Sequence, residues 1–193
     1  MSKKVNYGEL CEKLIMLQLT ALVKFFECAM YQKYQAEWKL IVIKKVKERC
    51  IEKQHSLNYR TLLNAIGDNC NFNTDILDLT AITSLICYDF VDDCCAYKNL
   101  NRKELNTLIH EIRSDRNRLV HTTLECDEYS LFSSAGNHLE NFILFLEQHD
   151  WKYEASASFL EYLRAEGRCV DSEVAFLDEI KMQLIEYKKE ALH

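Results

Sequence analysis

Apolar residues recur at three- and four-residue steps along most of this chain, the period of an amphipathic helix. Leu10, Leu14, Leu17, Ala21, Phe25 and Cys28 carry the pattern through residues 7 to about 35 and predict one long helix. Residues 36–53 continue that helix or form a second one, with Trp38, Ile41, Val42 and Val46 inward. Residues 58–66 predict a short helix closed by Gly67 as a left-handed cap, and 68–73 read as a loop of turn formers. Leu79, Ile82, Leu85, Ile86 and Phe90 form the apolar face of a predicted helix over 75–92. Asn101 is placed to cap the next helix, with Glu104 three residues on as in a capping box. That helix runs to about residue 121, with Leu105, Leu108, Ile109 and Ile112 in line. Asp127 opens another, carrying Tyr129, Phe132, Leu139, Phe142, Ile143 and Leu146. After Trp151 a modest helix over 153–166 ends at Gly167. Asp171 then caps a final helix with Val174, Leu177, Ile180 and Leu184 inward.

Composition narrows the fold class. There is no Pro and there are only four Gly, too few turn residues for a β-rich fold and too few for a phosphate-cradling loop. With 193 residues, 48% of them hydrophobic, the chain is the size of a single domain with a real core. The expected fold is all-α. Nine Cys are present, but no C-x-x-C pair and no secretory apolar segment at Met1, so reduced thiols, no zinc site and a cytoplasmic location are expected. The most apolar stretch, 40–46, is interrupted by Lys44 and Lys45, and no membrane-spanning segment is expected. The net charge of −6 is unevenly spread: residues 1–60 hold twelve Lys and Arg against six Asp and Glu. That basic end reads either as a polyanion-facing surface or as solvated helix faces.

The candidate chemistry lies in Arg116-Asn117-Arg118-Leu119-Val120-His121. Extending the stripe of Leu105, Leu108, Ile109 and Ile112 by four positions lands on Arg116. A guanidinium on an apolar line is costly unless something pairs with it. A structural partner would be a buried carboxylate such as Asp78, Asp89 or Asp92. Five positions is about 140° on an ideal helix, so Arg116 and His121 share a face only if the helix ends or distorts near Val120. His110 reads as a core-edge histidine. Arg113 and Arg118 flank the motif, and Lys44 and Lys45 begin a basic run without interleaved aromatics, suited at most to backbone phosphates.

An all-helical chain with Arg-Asn-x-x-x-His before its last core helix resembles the HEPN superfamily, whose motif is Arg, four to six residues, then His. The likeness spans about residues 55 to 150. It implies a four-helix bundle core over 55–150, with an N-terminal helical extension over 1–54 and a C-terminal helical annex over 151–193. It also implies a metal-independent endoribonuclease without cofactor, in defence or stress response, leaving 2′,3′-cyclic phosphate ends. Arg116, His121 and Asn117 would be catalytic, and Arg113, Arg118, Lys44 and Lys45 would bind RNA. The site would form across a homodimer, open to control by a partner protein. Thr123 stands where family toxins under nucleotidyltransferase control often carry Tyr, which argues against that mode of control. The alternative within the family is a non-catalytic dimerisation or interaction module. A helical adaptor of Bcl-2-like shape would also be all-α, but nothing in the chain matches that group's signature.

Overall fold

The computed structural model describes residues 5–52, 57–67, 71–120, 127–151, 161–162, 164–167 and 176–192. Among them the chain is helical, and its one extended pairing is an isolated bridge between Ile66 and Phe72.

The first helix, α1 (Tyr7–Tyr34), starts at Asn6, whose side chain accepts the Glu9 N–H at 3.2 Å. It ends where Gln35 takes a left-handed φ of 51°. A 3₁₀ turn (Gln35–Glu37) leads into α2 (Trp38–Glu52), so the two possibilities for this region resolve into two helices. After α3 (Leu57–Asn64), Gly67 does not adopt the left-handed cap expected of it. The chain folds back instead: the Gly67 N–H donates to the Asn71 carbonyl at 2.9 Å and the Asn73 N–H to the Ala65 carbonyl at 2.8 Å.

The single helix expected over 75–92 is broken. Asp78 caps a short α4 (Leu79–Ser84) by accepting the Ala81 N–H at 2.7 Å. A π turn (Leu85–Asp89) follows, in which the Phe90 N–H donates to the Leu85 carbonyl, and then α5 (Val91–Ala96). One residue is added to the turn, so the register slips while Leu79, Ile82, Leu85, Ile86 and Phe90 all remain buried. Asn101 caps α6 (Arg102–Val120) through the Glu104 N–H, and Asp127 caps α7 (Glu128–Gln148) through the Tyr129 N–H. Tyr129 itself is exposed rather than inward. Gly167, at φ 72°, closes the turn before it as expected. The last described helix is α8 (Phe176–Glu190), with Leu177, Ile180 and Leu184 buried; its expected cap Asp171 and Val174 lie outside the described residues.

One continuous apolar cluster runs from Leu10 to Ala191. The centre of that cluster is α1, packed along α7 and also against α4, α5, α6 and α8. Phe25 on α1 meets Phe142 of α7 edge-on at 5.6 Å and Trp151 at 5.5 Å. Leu184 of α8 and Leu14 of α1 both lie close to the backbone of Gly136 on α7. The region Tyr7–Cys50 contains a window long and apolar enough by composition to span a membrane, and 78% of that window is buried inside the fold. A helix surrounded by other helices is apolar on most sides for that reason. Cys11, Cys28, Cys50, Cys87, Cys94 and Cys95 are free thiols; Cys70, Cys126 and Cys169 lie outside the described residues.

Candidate functional site

Leu105, Ile109 and Ile112 of α6 are fully buried, and the next fully buried residue is Asp115, three positions on. Its carboxylate is completely enclosed. Nδ1 of His138, on α7, lies 3.0 Å from both carboxylate oxygens. The Gln18 side-chain amide, on α1, donates to Oδ2 at 2.9 Å and to the Ala135 carbonyl at 3.1 Å. Three helices are thus joined by a polar knot inside an apolar core. Burial pushes the Asp115 carboxyl above its usual range, while the hydrogen bonds from Gln18 and His138 and the charges of His138 and Arg118 pull it back.

Arg116 follows on the same stripe and is half-buried. It has no hydrogen bond or ion pair among the described residues, and the three carboxylates considered as partners are engaged elsewhere. Asp78 caps α4, Asp89 pairs with Arg49, and Asp92 pairs with Arg102 at 2.9 Å. The Asp89–Arg49 contact is itself largely buried, with the guanidinium over the Tyr88 ring. The helix carrying the motif is described as far as Val120. His121 lies outside the described residues.

The remaining candidates do not gather on one face. Asn117 is exposed. Arg113 is half-buried beside Cys87, whose thiol is pushed up to about 11 by burial against the pull of the Arg113 charge. Arg118 reaches the other way, donating to the Ser134 hydroxyl of α7 at 3.3 Å. On an ideal helix Arg116 and Arg118 point about 200° apart. Lys44 and Lys45 are exposed on α2. His110 is exposed, against the expectation of a core edge, and its ring meets Tyr88 at 6.1 Å.

An open groove of about 650 Å³ runs over α7 and the adjoining side of α6. Its lining includes the carboxylates Glu111 and Asp127 together with Ser133, Ser134, Asn137 and His138. His138 lines the groove and Asp115 is enclosed behind it, an arrangement not read from the sequence. The available signals were polar residues at core positions: Gln18 stands midway between Leu14 and Leu22 at steps of four, and Asp115 stands three after Ile112. Among the described residues no three His, Cys, Asp or Glu side chains gather as a metal cage. Comparison with protein-family models, curated proteins and solved structures gives no match for this chain.

Proposed function

We propose that this protein is a metal-independent endoribonuclease of HEPN type, in which α1, expected as part of an N-terminal extension of a 55–150 core, instead joins the α4–α5 segment, α6 and α7 in the four-helix core. The observation that carries the reading is Arg116. It is half-buried at the end of an apolar stripe, and its candidate counter-charges are engaged elsewhere. A cation in such a place is suited to an anionic ligand, and a guanidinium binds phosphate through two parallel hydrogen bonds.

RNA supplies its own nucleophile. In the proposed reaction the 2′-hydroxyl gives its proton to an imidazole as the 2′-oxygen bonds to phosphorus. The bond from phosphorus to the 5′-oxygen breaks, and the leaving oxygen takes up a proton. His121 is proposed for proton transfer, Arg116 for the charge on the phosphoryl oxygens, and Asn117 for orientation. A homodimer would bring two such motifs together.

The test incubates purified protein with mixed RNA in EDTA and probes the new ends. Cleavage leaving 2′,3′-cyclic phosphate and 5′-hydroxyl ends is expected. His121→Ala and Arg116→Ala should each lower the rate by about 10²–10⁴-fold. Arg116→Lys should recover only part of it, since an ammonium lacks the planar fork. Wild-type protein that cleaves no RNA would favour the non-catalytic dimerisation module.

A further inference from the structure

We propose that Tyr88 is a base-stacking platform for single-stranded RNA, from which a row of α6 side chains, His110, Arg113 and Arg116, leads the phosphate backbone to the arginine of the motif. This deepens the ribonuclease reading and rests on it for the identity of the ligand.

Tyr88 lies within the π turn. Leu85, Ile86, Cys87 and Phe90 around it are buried, while Tyr88 is turned outward and is 54% exposed. Single π turns inside helices occur often at functional sites. The ring is held in place from two other helices. The guanidinium carbon of Arg49, on α2, lies 5.5 Å from the ring centre, and the His110 ring of α6 meets it edge-on at 6.1 Å. Arg49 is in turn anchored by Asp89, whose side chain is 2% exposed. Burying such a pair is costly, and apolar residues in its place would serve stability as well or better. What the pair does supply is a fixed cation that orders an exposed aromatic ring. Arg49 is thus the support of Tyr88, its charge already matched by Asp89.

The unmatched positive charge lies on α6. His110, Arg113 and Arg116 follow at steps of three and are neighbours along one side of the helix. From first to last the rise is about 9 Å, the span of two or three stacked nucleotides at about 3.4 Å each. Arg113 is half-buried beside Cys87, the residue before Tyr88. Neither Arg113 nor Arg116 has a hydrogen bond or ion pair among the described residues. The carboxylates nearby are engaged or turned away. Asp89 holds Arg49, Asp92 pairs with Arg102, and Asp93 pairs with Lys33 and Tyr34. Glu111 lines the groove toward α7, and Glu48 of α2 points about 100° away from Arg49. An exposed aromatic ring beside unmatched guanidinium groups suits a single strand, whose base stacks while its phosphates are neutralised. A duplex keeps its bases stacked on one another and cannot use the ring.

The test measures binding, in EDTA, to an oligoadenylate RNA of about twelve nucleotides and to an abasic strand of the same length and charge. All proteins in the binding series carry His121→Ala, so that cleavage does not intervene. Oligoadenylate should bind more tightly than the abasic strand. Tyr88→Ala should weaken oligoadenylate by about tenfold, the worth of one stacked base, and leave the abasic strand unchanged. Tyr88→Phe keeps the ring and should bind as the parent does. Arg113→Ala should weaken both strands. In Tyr88→Trp the new indole emission should be quenched by oligoadenylate and not by the abasic strand, since Trp38 and Trp151 are buried away from the ligand. Equal binding of the two strands, or a preference untouched by Tyr88→Ala, would overturn the platform. A Tyr88-dependent preference in a protein that never cleaves with His121 intact would retain the platform and discard the nuclease. Cleavage that depends on Arg116 and His121, with no effect of Tyr88 on binding or rate, would do the reverse.

Discussion

Asp115 is the residue whose environment decides most. Removing its side chain leaves Nδ1 of His138 without a partner and the Gln18 amide with only the Ala135 carbonyl. Asp115→Ala should therefore cost about 3 kcal/mol in urea unfolding, the range for breaking a buried charged network. Asp115→Asn keeps an acceptor for Gln18 and should cost much less. The two side chains also differ with pH. Burial raises the folded-state pKa of Asp115 above its ordinary 3.8, so its protonated form is the better accommodated one. A raised pKa gives stability that is fully present below the unfolded value and is lost as pH rises through the folded one. Asn has no proton to lose. Its stability relative to wild type should therefore improve from about pH 3.5 upward until Asp115 is fully ionised. Unfolding of both proteins across that range checks the sign, and a difference that stays constant or shrinks would contradict it. None of this was visible in the motif-centred reading of the chain. That reading followed the stripe from Ile112 by four to Arg116, which is on the stripe but only half-buried. The step of three, to Asp115, leads into the core, and its partner His138 is 23 positions away on another helix.

At the scale of elements, the strong helical periods gave α1, α2, α6 and α7 with their buried faces, and the caps Asn101 and Asp127 were legible as residue types in position. The break inside 75–92 was not legible, because a π turn slips the register by one residue and leaves each apolar position still facing inward. Asp78, three before Ala81, carried the only local hint. Gly136 illustrates a second kind of information that periodicity lacks. A glycine inside α7 weakens the helix by about 0.5–1 kcal/mol relative to Ala. A Cβ there would meet Lys188 Cε at 3.5 Å and side-chain atoms of Leu14 and Leu184 at 3.8 Å, which is ordinary contact. Gly136→Ala should thus raise stability by about 0.5–1 kcal/mol, read as a higher urea midpoint. Gly136→Leu should lower it, because a larger side chain would push α7 away from α1 and α8. Destabilisation by the Ala substitution would mean that the three helices have no room to give. Asn101→Ala removes the acceptor for the Glu104 N–H and should cost about 1 kcal/mol.

At the scale of the whole molecule, the composite-site proposal makes a demand on assembly. A two-fold interface places the same patch of both copies face to face. For two motifs to meet, that patch must include the end of α6. Val120, the last residue of α6, is 57% exposed, and Tyr129, in the first turn of α7, is 52% exposed. These two large apolar side chains flank residues 121–126, within which His121 lies, and Tyr129 also meets the Tyr7 ring edge-on at 5.4 Å. A homodimer joined here would cover both and would bring Arg116 of each copy near the other's motif. Light scattering at about 10–50 μM, the range in which a modest interface is populated, should give twice the chain mass of 22.7 kDa. Val120→Asp puts a charge into that contact and should shift the protein to monomer while its helical circular dichroism is unchanged. RNA cleavage should fall with the dimer fraction, and mixing Arg116→Ala with His121→Ala protein should restore part of the lost activity, since the mixed dimer holds one Arg116 and one His121 in a shared site. A monomeric mass with and without RNA would remove the composite site. A dimer insensitive to Val120→Asp would move the interface elsewhere and leave each motif to work alone.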